Sequence, residues 1–170
     1  SLRILAHASR EQARQRVHGL DREIRTQRQP HARVAELPPR VRTDDPRRPS
    51  IETVIEPEEL TEKTGYTRPH TVHCMPGDNV VLSMLGDANG DGTGGFAVLD
   101  AQTFEVKGRW ENGGETPRFN YDFWYQPRKN VLVSSEFGEP NAYEKGFDLA
   151  DVESGRYGQR IHFWDLERRT

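Results

Sequence analysis

Two histidines and the only cysteine of the chain lie together in the motif H-T-V-H-C at residues 70–74. Imidazole nitrogens bind copper, iron and zinc, and a thiolate binds soft metals or acts as a nucleophile. His73, beside the soft donor Cys74, is the stronger candidate metal ligand and His70 the weaker one. Side chains three apart on a regular strand point to opposite faces, so a shared metal requires a bend after Pro69.

Two other interpretations of this motif stay open on spacing alone. The histidines could be buried or hydrogen-bonded structural residues, and Cys74 could be a small core residue instead of a candidate selenium or thiol site. A single ligand is not a site, so further ligands would have to come from elsewhere. The sequence identifies no catalytic residue.

The segment from Asp87 to Gly92 copies the first half of an EF-hand calcium loop. The similarity ends there, because the twelfth position is Val98 where a bidentate glutamate is required. We therefore interpret the segment as a glycine-rich connection between strands, with adventitious calcium as the alternative.

Aromatic residues cluster between residues 119 and 125. They could line a substrate pocket, but packing between sheets is the simpler interpretation. The members are Phe119, Tyr121, Phe123, Trp124 and Tyr125. The pair Trp164-Asp165 resembles the WD dipeptide of WD40 repeats, but a spacing of 51 residues and the lack of an upstream Gly-His argue against that family.

These side chains belong to a segment that occurs twice. Residues 70–83 resemble residues 121–134, with 51 residues between matching positions. This spacing aligns His73 with Trp124 and Asn79 with Asn130. Residues 96–100 recur at 161–165. Each unit therefore predicts strands A and B, a loop, strand C ending in Asp, and strand D. Short strands at a period of about 50 residues are typical of a β-propeller blade.

The pattern predicts an all-β chain with one complete blade and parts of two neighbours. Alternation and turn residues indicate the individual strands. The predicted strands are 50–55, 70–75, 80–85, 96–100, 104–110, 121–126, 130–136 and 160–166, with one helical turn near 148–153.

The first part of the chain is a different kind of sequence. Residues 1–43 are rich in arginine without lysine and carry no aromatic residue. Ser9 could cap one helix with the apolar stripe Ala13, Val17, Leu20 and Ile24. This segment is either a basic, partly helical or disordered tail, or the translation of a non-native reading frame. We expect residues 44–170 to form the propeller part.

The composition of the chain indicates which cellular compartment and which partners it fits. Hydrophobic residues make up 33% and charged residues 30% of the chain, and no stretch approaches the length of a membrane span. One cysteine allows no internal disulfide, which fits a reducing compartment, and we expect a cytoplasmic protein. A basic tail can attract nucleic acid, but the missing lysines and aromatics make that partner an unfavoured one.

Four further motifs carry a family resemblance. They are L-G-D-x-x-G-x-G-x-G-G-F at 85–96, T-F-E-V-K-G-x-W at 103–110, Y-D-F-W-Y-Q-P-R at 121–128 and G-F-D-L-A-D-V-E-x-G-x-Y-G at 146–158. Together with H-T-V-H-C, they make residues 44–170 resemble the selenium-binding protein family, which includes methanethiol oxidases.

The resemblance implies a seven-bladed propeller more than twice as long as this chain, here represented by about two blades. It implies oxidation of methanethiol by O₂ to formaldehyde, hydrogen sulfide and hydrogen peroxide, with copper as the metal, His73 as a metal ligand and selenium as a candidate second cofactor. The partners would be a small thiol, O₂ and the remaining blades, without a membrane. The alternatives are a non-catalytic selenium- or partner-binding propeller and an inactive truncated product, and we expect the fragment alone to be inactive.

Overall fold

The strands in the described part of the chain form three separate antiparallel sheets. A computed structural model describes residues 39–113 and 116–170, so the predicted helix around residues 9–24 lies outside the described residues. The small sheet pairs β1 (Arg40–Arg42) with β2 (Ser50–Thr53). The four-stranded sheet has the order β3 (Tyr66–Met75), β4 (Asn79–Asp87), β5 (Gly95–Asp100) and β6 (Val106–Arg109). The three-stranded sheet has the order β7 (Asn120–Gln126), β8 (Val131–Glu136) and β9 (Ile161–Asp165).

The predicted strand order is confirmed in both larger sheets. Each sheet is a meander in which consecutive strands pair, as the A, B, C and D assignment requires. Strand β3 is longer than predicted and begins at Tyr66 rather than His70. Its register shifts between Pro69 and Val72. Proline has no N–H group to donate to the ladder, so an irregular position is where a strand tolerates it.

Little of the described chain is helical. The helices are α1 (Pro57–Thr64), α2 (Pro140–Tyr143) and α3 (Leu149–Glu153). Helix α3 confirms the predicted helical turn, whereas no helix was predicted at α1. Its signals are present in the sequence, since Pro57 begins the helix and Gly65 ends it at φ 73°. No described helix is long and apolar enough to cross a membrane.

The aspartate that ends strand C has the same structural role in both sheets. One carboxylate oxygen of Asp100 accepts the backbone N–H groups two and three residues later, at 2.8 and 2.9 Å. Asp165 does the same at 3.0 and 2.7 Å. Hydrogen bonds from these backbone groups lower the pKa of both carboxyl groups. The recurring aspartate therefore shapes the turn that follows strand C in both sheets.

The constant spacing of 51 residues is wrong for strand B. Met75 pairs with Asn79 across the first A–B turn, whereas Gln126 pairs with Val131 across the second. The second turn is one residue longer, with a 3₁₀ segment at Pro127–Lys129. Strand B of the second unit is therefore displaced by one further residue. The similar letters N-V-V-L-S and N-V-L-V-S at 79–83 and 130–134 do not occupy equivalent positions.

This shift decides which side chains face the core, since one residue of slip exchanges the two faces of a strand. In each of the two larger sheets, three side chains form a row across strands A, B and C. The row of the four-stranded sheet is His73, Val81 and Val98, and the equivalent row of the three-stranded sheet is Trp124, Val133 and Phe163. Leu132 and Ser134 consequently point the opposite way from Val133, toward the four-stranded sheet.

Two hydrophobic cores result. One lies between α1 and the four-stranded sheet and contains Ile55, Leu60, Tyr66, Val80, Leu82, Met84, Ala97, Leu99 and Val106. The other lies between the two larger sheets and contains Met75, Val81, Phe96, Val98, Trp110, Phe123, Leu132 and Trp164. The alternating pattern of β4 and β5 thus fills a core on each side of the four-stranded sheet.

We expect Gly95→Ala to destabilise the four-stranded sheet. A Cβ atom at residue 95 would lie 2.6 Å from ring carbons of Tyr66, which is 1% exposed. The Tyr66 hydroxyl donates to Glu111, whose other carboxylate oxygen accepts the Phe96 N–H at 3.2 Å, so the ring is not free to move. Overpacking of this kind costs about 1–3 kcal/mol.

Thermal unfolding of the longer polypeptide implied by the resemblance measures this effect. Thr93→Ala, at an exposed position two residues before β5 begins, is the matched control and should leave the melting temperature unchanged. Equal melting temperatures for the two variants would contradict the close approach.

Candidate functional site

The site residues lie where β3 and β7, the A strands of the two sheets, run side by side. Residues one repeat apart contact one another there. His70 stacks on Tyr121 with ring centroids 4.2 Å apart, and His73 contacts Trp124 at 4.6 Å. The Tyr125 hydroxyl donates to the backbone carbonyl of Cys74. The structure therefore brings the H-T-V-H-C motif against the aromatic segment of the second unit.

His73 is held between the two sheets. Its Nε2 lies 3.1 Å from the Phe123 carbonyl oxygen, and its ring meets the rings of Phe123 and Trp124 edge-on. A carbonyl oxygen only accepts hydrogen bonds, so the neutral imidazole carries its proton on Nε2. Nδ1 is then the nitrogen with a free lone pair for a metal or a proton.

His70 is exposed and lies at the irregular part of β3, where the register shifts. Its Nδ1 lies 2.9 Å from Oγ1 of Thr71. The Thr71 hydroxyl is in turn 2.6 Å from Oδ1 of Asp122. The ladder is thus irregular in the segment after Pro69, and the backbone that carries His70 is connected to β7 through Thr71.

The interpretation of Cys74 as a core residue is wrong. Its side chain is exposed, because the alternation of β3 places it on the face away from the buried Met75. An exposed thiol is accessible to reagents and ligands, although exposure alone does not lower the pKa of a thiol. Cys74 keeps its place as a candidate thiol site.

A complete metal site is not assembled among residues 39–113 and 116–170. No group of three or more His, Cys, Asp or Glu side chains there is arranged to hold a metal ion. His70 and His73 each offer one imidazole, and imidazole suits copper. These two residues can therefore be part of a ligand set but cannot make up a whole one.

The EF-hand-like segment is a connection between β4 and β5, as the sequence predicted. Oδ1 of Asp87 accepts the backbone N–H groups of Asn89 at 2.8 Å and Asp91 at 3.0 Å. Gly90 adopts φ 77°, a conformation that glycine takes without strain. The carboxylate oxygen is thus used to shape the loop.

Most of the aromatic segment packs between the sheets, as the simpler interpretation predicted. Phe119 and Phe123 are buried, as core packing requires, and Tyr121 and Tyr125 are half-buried against β3. Trp124 contacts His73 but is 67% exposed, on the face of β7 opposite to the buried Phe123. Packing accounts for most of the cluster but does not account for Trp124.

A long loop at residues 137–160 backs the His70 side of the site. Phe137 packs on Tyr121 at 5.0 Å, and Tyr121 carries the His70 ring. The loop is also bound to the four-stranded sheet, where Arg68 Nε donates to Glu144 at 2.6 Å. The position of the imidazole thus depends on the position of the loop.

Charged groups inside the loop hold it in place. Arg156 donates to Glu139 at 2.7 Å and to Asp151 at 2.9 Å, while Arg118 adds a bond to Glu139 and Lys145 pairs with Asp151. Burial opposes ionisation of Glu139, but the hydrogen bonds from the two arginines outweigh it and lower its pKa. The hydrogen bond from Lys145 is the main cause of the lowered pKa of Asp151.

The histidines could be identified from the sequence, but their partners were not predicted. Thr71 and Asp122 were not proposed as site residues, nor was the hydroxyl of Tyr125. The repeat spacing could have found them, because Thr71 and Asp122, like Cys74 and Tyr125, are 51 residues apart. Equivalent strands of adjacent units lie side by side, so equivalent positions become neighbours.

The sequence matches one protein family over most of its length. The pattern of the family described as 56 kDa selenium binding protein (SBP56) matches residues 40–170. The match includes the described residues around His70, His73 and Cys74, and it begins close to the first described strand.

Individual relatives give the same result. The chain is 50% identical to methanethiol oxidase from Danio rerio over 71% of its length, and 48% identical to methanethiol oxidase from Homo sapiens over 73%. It spans about a quarter, 26%, of the length of these relatives. A hypothetical selenium-binding protein from Sulfolobus tokodaii, solved by X-ray crystallography, is similar at a TM-score of 0.70 and 47% identity, over 75% of this chain and 28% of that one.

We expect acid to release the loop at residues 137–160. Glu139 and Asp151 have lowered pKa values in the folded chain, so they stabilise it fully above their unfolded pKa values of about 4. That stabilisation is lost as the pH falls through the lower folded values. Hydrogen exchange of the loop amides, corrected for intrinsic rates, should rise several-fold below that range.

Arg156→Gln removes the shared partner and should raise loop exchange several-fold already at neutral pH. Arg128→Gln, at an exposed position in the β7–β8 turn, is the matched control. Unchanged exchange in Arg156→Gln would show that the charged group does not hold the loop.

Proposed function

The chain belongs to the 56 kDa selenium-binding protein family, and on this basis we propose that it is part of a copper-dependent methanethiol oxidase. The complete protein would convert methanethiol, O₂ and water into formaldehyde, hydrogen sulfide and hydrogen peroxide. Relatives with this name support the reaction, being about half identical to the chain over the described sheets. The placement of His70 and His73 at the junction of two sheets is the structural observation that carries the proposal.

We further propose that the two larger sheets are consecutive blades of a seven-bladed propeller. The row His73, Val81 and Val98 of the four-stranded sheet faces the three-stranded sheet. The equivalent row of the three-stranded sheet is open, with Trp124 and Phe163 67% and 75% exposed. Ile161, equivalent to the fully buried Phe96, is 65% exposed. A further sheet of the same kind on this face would bury the whole row, as a propeller does.

Copper bound here would supply the one-electron redox chemistry that connects a thiol with O₂. His73 would bind it through Nδ1, since Nε2 is committed to the Phe123 carbonyl, and His70 would be a second ligand. The remaining ligands would come from other blades of the complete protein, because the described residues contain no group of three or more ligating side chains. The surrounding Trp124, Tyr121 and Tyr125 give the site an aromatic wall.

A non-catalytic propeller that binds selenium or a thiol is the second candidate function. The exposed thiol of Cys74, on the same strand as the two histidines, favours it. Such a protein would bind a selenium compound through the Cys74 sulfur without turning over methanethiol. A truncated, inactive product is the third possibility, and comparison of the 170-residue chain with the complete polypeptide separates it from the other two.

The complete polypeptide should contain copper and form formaldehyde, hydrogen sulfide and hydrogen peroxide from methanethiol in equal amounts. His73→Ala should lower copper content and product formation at least tenfold, because it removes a metal ligand. His162→Ala is the control, since this histidine pairs with Glu136 at 2.9 Å on the opposite edge of the three-stranded sheet. Selenium binding without product formation would support the second candidate instead.

The 170-residue chain alone should self-associate through its open face. Replacing both Trp124 and Phe163 by Gln should reduce association in sedimentation velocity experiments, because it removes most of the exposed aromatic surface. Phe147→Gln is the matched control, since Phe147 is 77% exposed but lies in the long loop. A chain that stays monomeric at all concentrations, or a control with the same effect, would contradict the open blade face.

A further inference from the structure

We propose that Thr71 and Asp122 are positioning residues that hold His70 in the tautomer protonated on Nδ1, so that Nε2 is the nitrogen it presents. The inference deepens the proposed function and rests on it only for what Nε2 binds. The tautomer itself follows from hydrogen bonds between described residues of β3 and β7.

The Asp122 carboxylate determines the direction in which the Thr71 hydroxyl donates its proton. Oδ1 of Asp122 already accepts the Phe123 N–H at 2.8 Å, which holds the carboxylate in place. The Thr71 hydroxyl lies 2.6 Å from the same oxygen. An ionised carboxylate only accepts and a hydroxyl has one proton, so Thr71 donates that proton to Asp122.

The Thr71 hydroxyl in turn determines which ring nitrogen of His70 is protonated. With its own proton directed at Asp122, Thr71 Oγ1 offers only lone pairs to the Nδ1 of His70, 2.9 Å away. Two lone pairs do not form a hydrogen bond, so Nδ1 carries a proton. In the neutral ring Nε2 is then the free base.

The ring is also fixed in direction. The Thr71 backbone N–H donates to Ser83 Oγ at 3.0 Å, which ties Thr71 to the neighbouring strand. On the face of the imidazole, Tyr121 lies at a centroid distance of 4.2 Å. A ligand histidine usually has its other ring nitrogen fixed by such a partner, and loss of the partner typically weakens metal binding 10- to 100-fold.

The two histidines of the motif are thereby held in opposite tautomers. His73 donates from Nε2 to the Phe123 carbonyl and presents Nδ1, whereas His70 donates from Nδ1 and presents Nε2. The dipeptide Asp122-Phe123 sets both, through a side chain in one case and a backbone carbonyl in the other. A one-residue shift of β7 against β3 would therefore disturb both nitrogens at once.

Nitrogen NMR of the complete polypeptide with ¹⁵N-labelled histidine tests the tautomer without metal. At a pH well above the ordinary histidine pKa of about 6.5, His70 should show a protonated Nδ1 and an unprotonated Nε2. His70→Gln identifies its signals by their loss. A His70 signal protonated on Nε2 in the unaltered protein would overturn the proposal without any variant.

Thr71→Val removes the hydroxyl at nearly constant size, and Thr71→Ser keeps it. The Thr71→Val variant should shift His70 toward the other tautomer. It should also weaken copper(I) binding about 10- to 100-fold, as measured by competition with a chelator. Ser should restore both. Equal tautomer and affinity in the Val and Ser variants would overturn the proposal.

The two readouts also separate this proposal from the proposed function. If the unaltered protein binds no copper while His70 keeps the expected tautomer and Thr71→Val changes it, the positioning role is supported and the copper oxidase is not. If copper binds and product forms but the tautomer does not respond to residue 71, the oxidase is supported and the positioning role is overturned.

Discussion

The packing of the four-stranded sheet against the three-stranded sheet is the interaction on which the rest of the structure depends. Phe96 is at its centre, in edge contact with Trp110, Phe123 and Trp164 at 5.2 to 5.5 Å. Each of these rings comes from a different strand or its end, so the cluster fixes the two sheets in one register. That register brings β3 beside β7, and every contact of His70 and His73 across the two units follows from it.

The strands themselves could be predicted because half-buried sheets leave a period of two in the sequence. Their alignment between units could not be predicted as well. Identical letters at Asn79 and Asn130 suggested one spacing, but Asn79 is in β4 whereas Asn130 ends a turn at φ 51°. The extra residue in the turn does not alter the amino-acid composition of the strand, but it exchanges the side chains on its two faces. Register depends on backbone pairing, which sequence similarity between repeats does not report.

The candidate site was predicted in part for a related reason. His70, His73 and Cys74 are adjacent in the chain, so their types and spacing were visible in the sequence. The groups that orient them are on another strand, and a hydroxyl such as that of Thr71 gives no signal by itself. The repeat relates these two strands to each other, because equivalent strands of consecutive units lie side by side in the structure. Helix α1 was missed because its stripe is short, with Leu60 and Thr64 as its buried residues.

The geometry of a single strand explains why the metal ligands would be divided among blades. A strand gives one face only every second side chain, and β3 needs an irregularity at Pro69–Val72 to place His70 as it does. The neighbouring A strand contributes Phe123 and Trp124 at the level of His73, which orient or cover an imidazole but do not bind copper. In the propeller proposed above, further donors at that level would come from other A strands that converge on the same axis. Under that proposal the site would form only when the sheets close around it, so the aromatic packing that joins the two sheets would also decide whether His73 gains further ligands beside it.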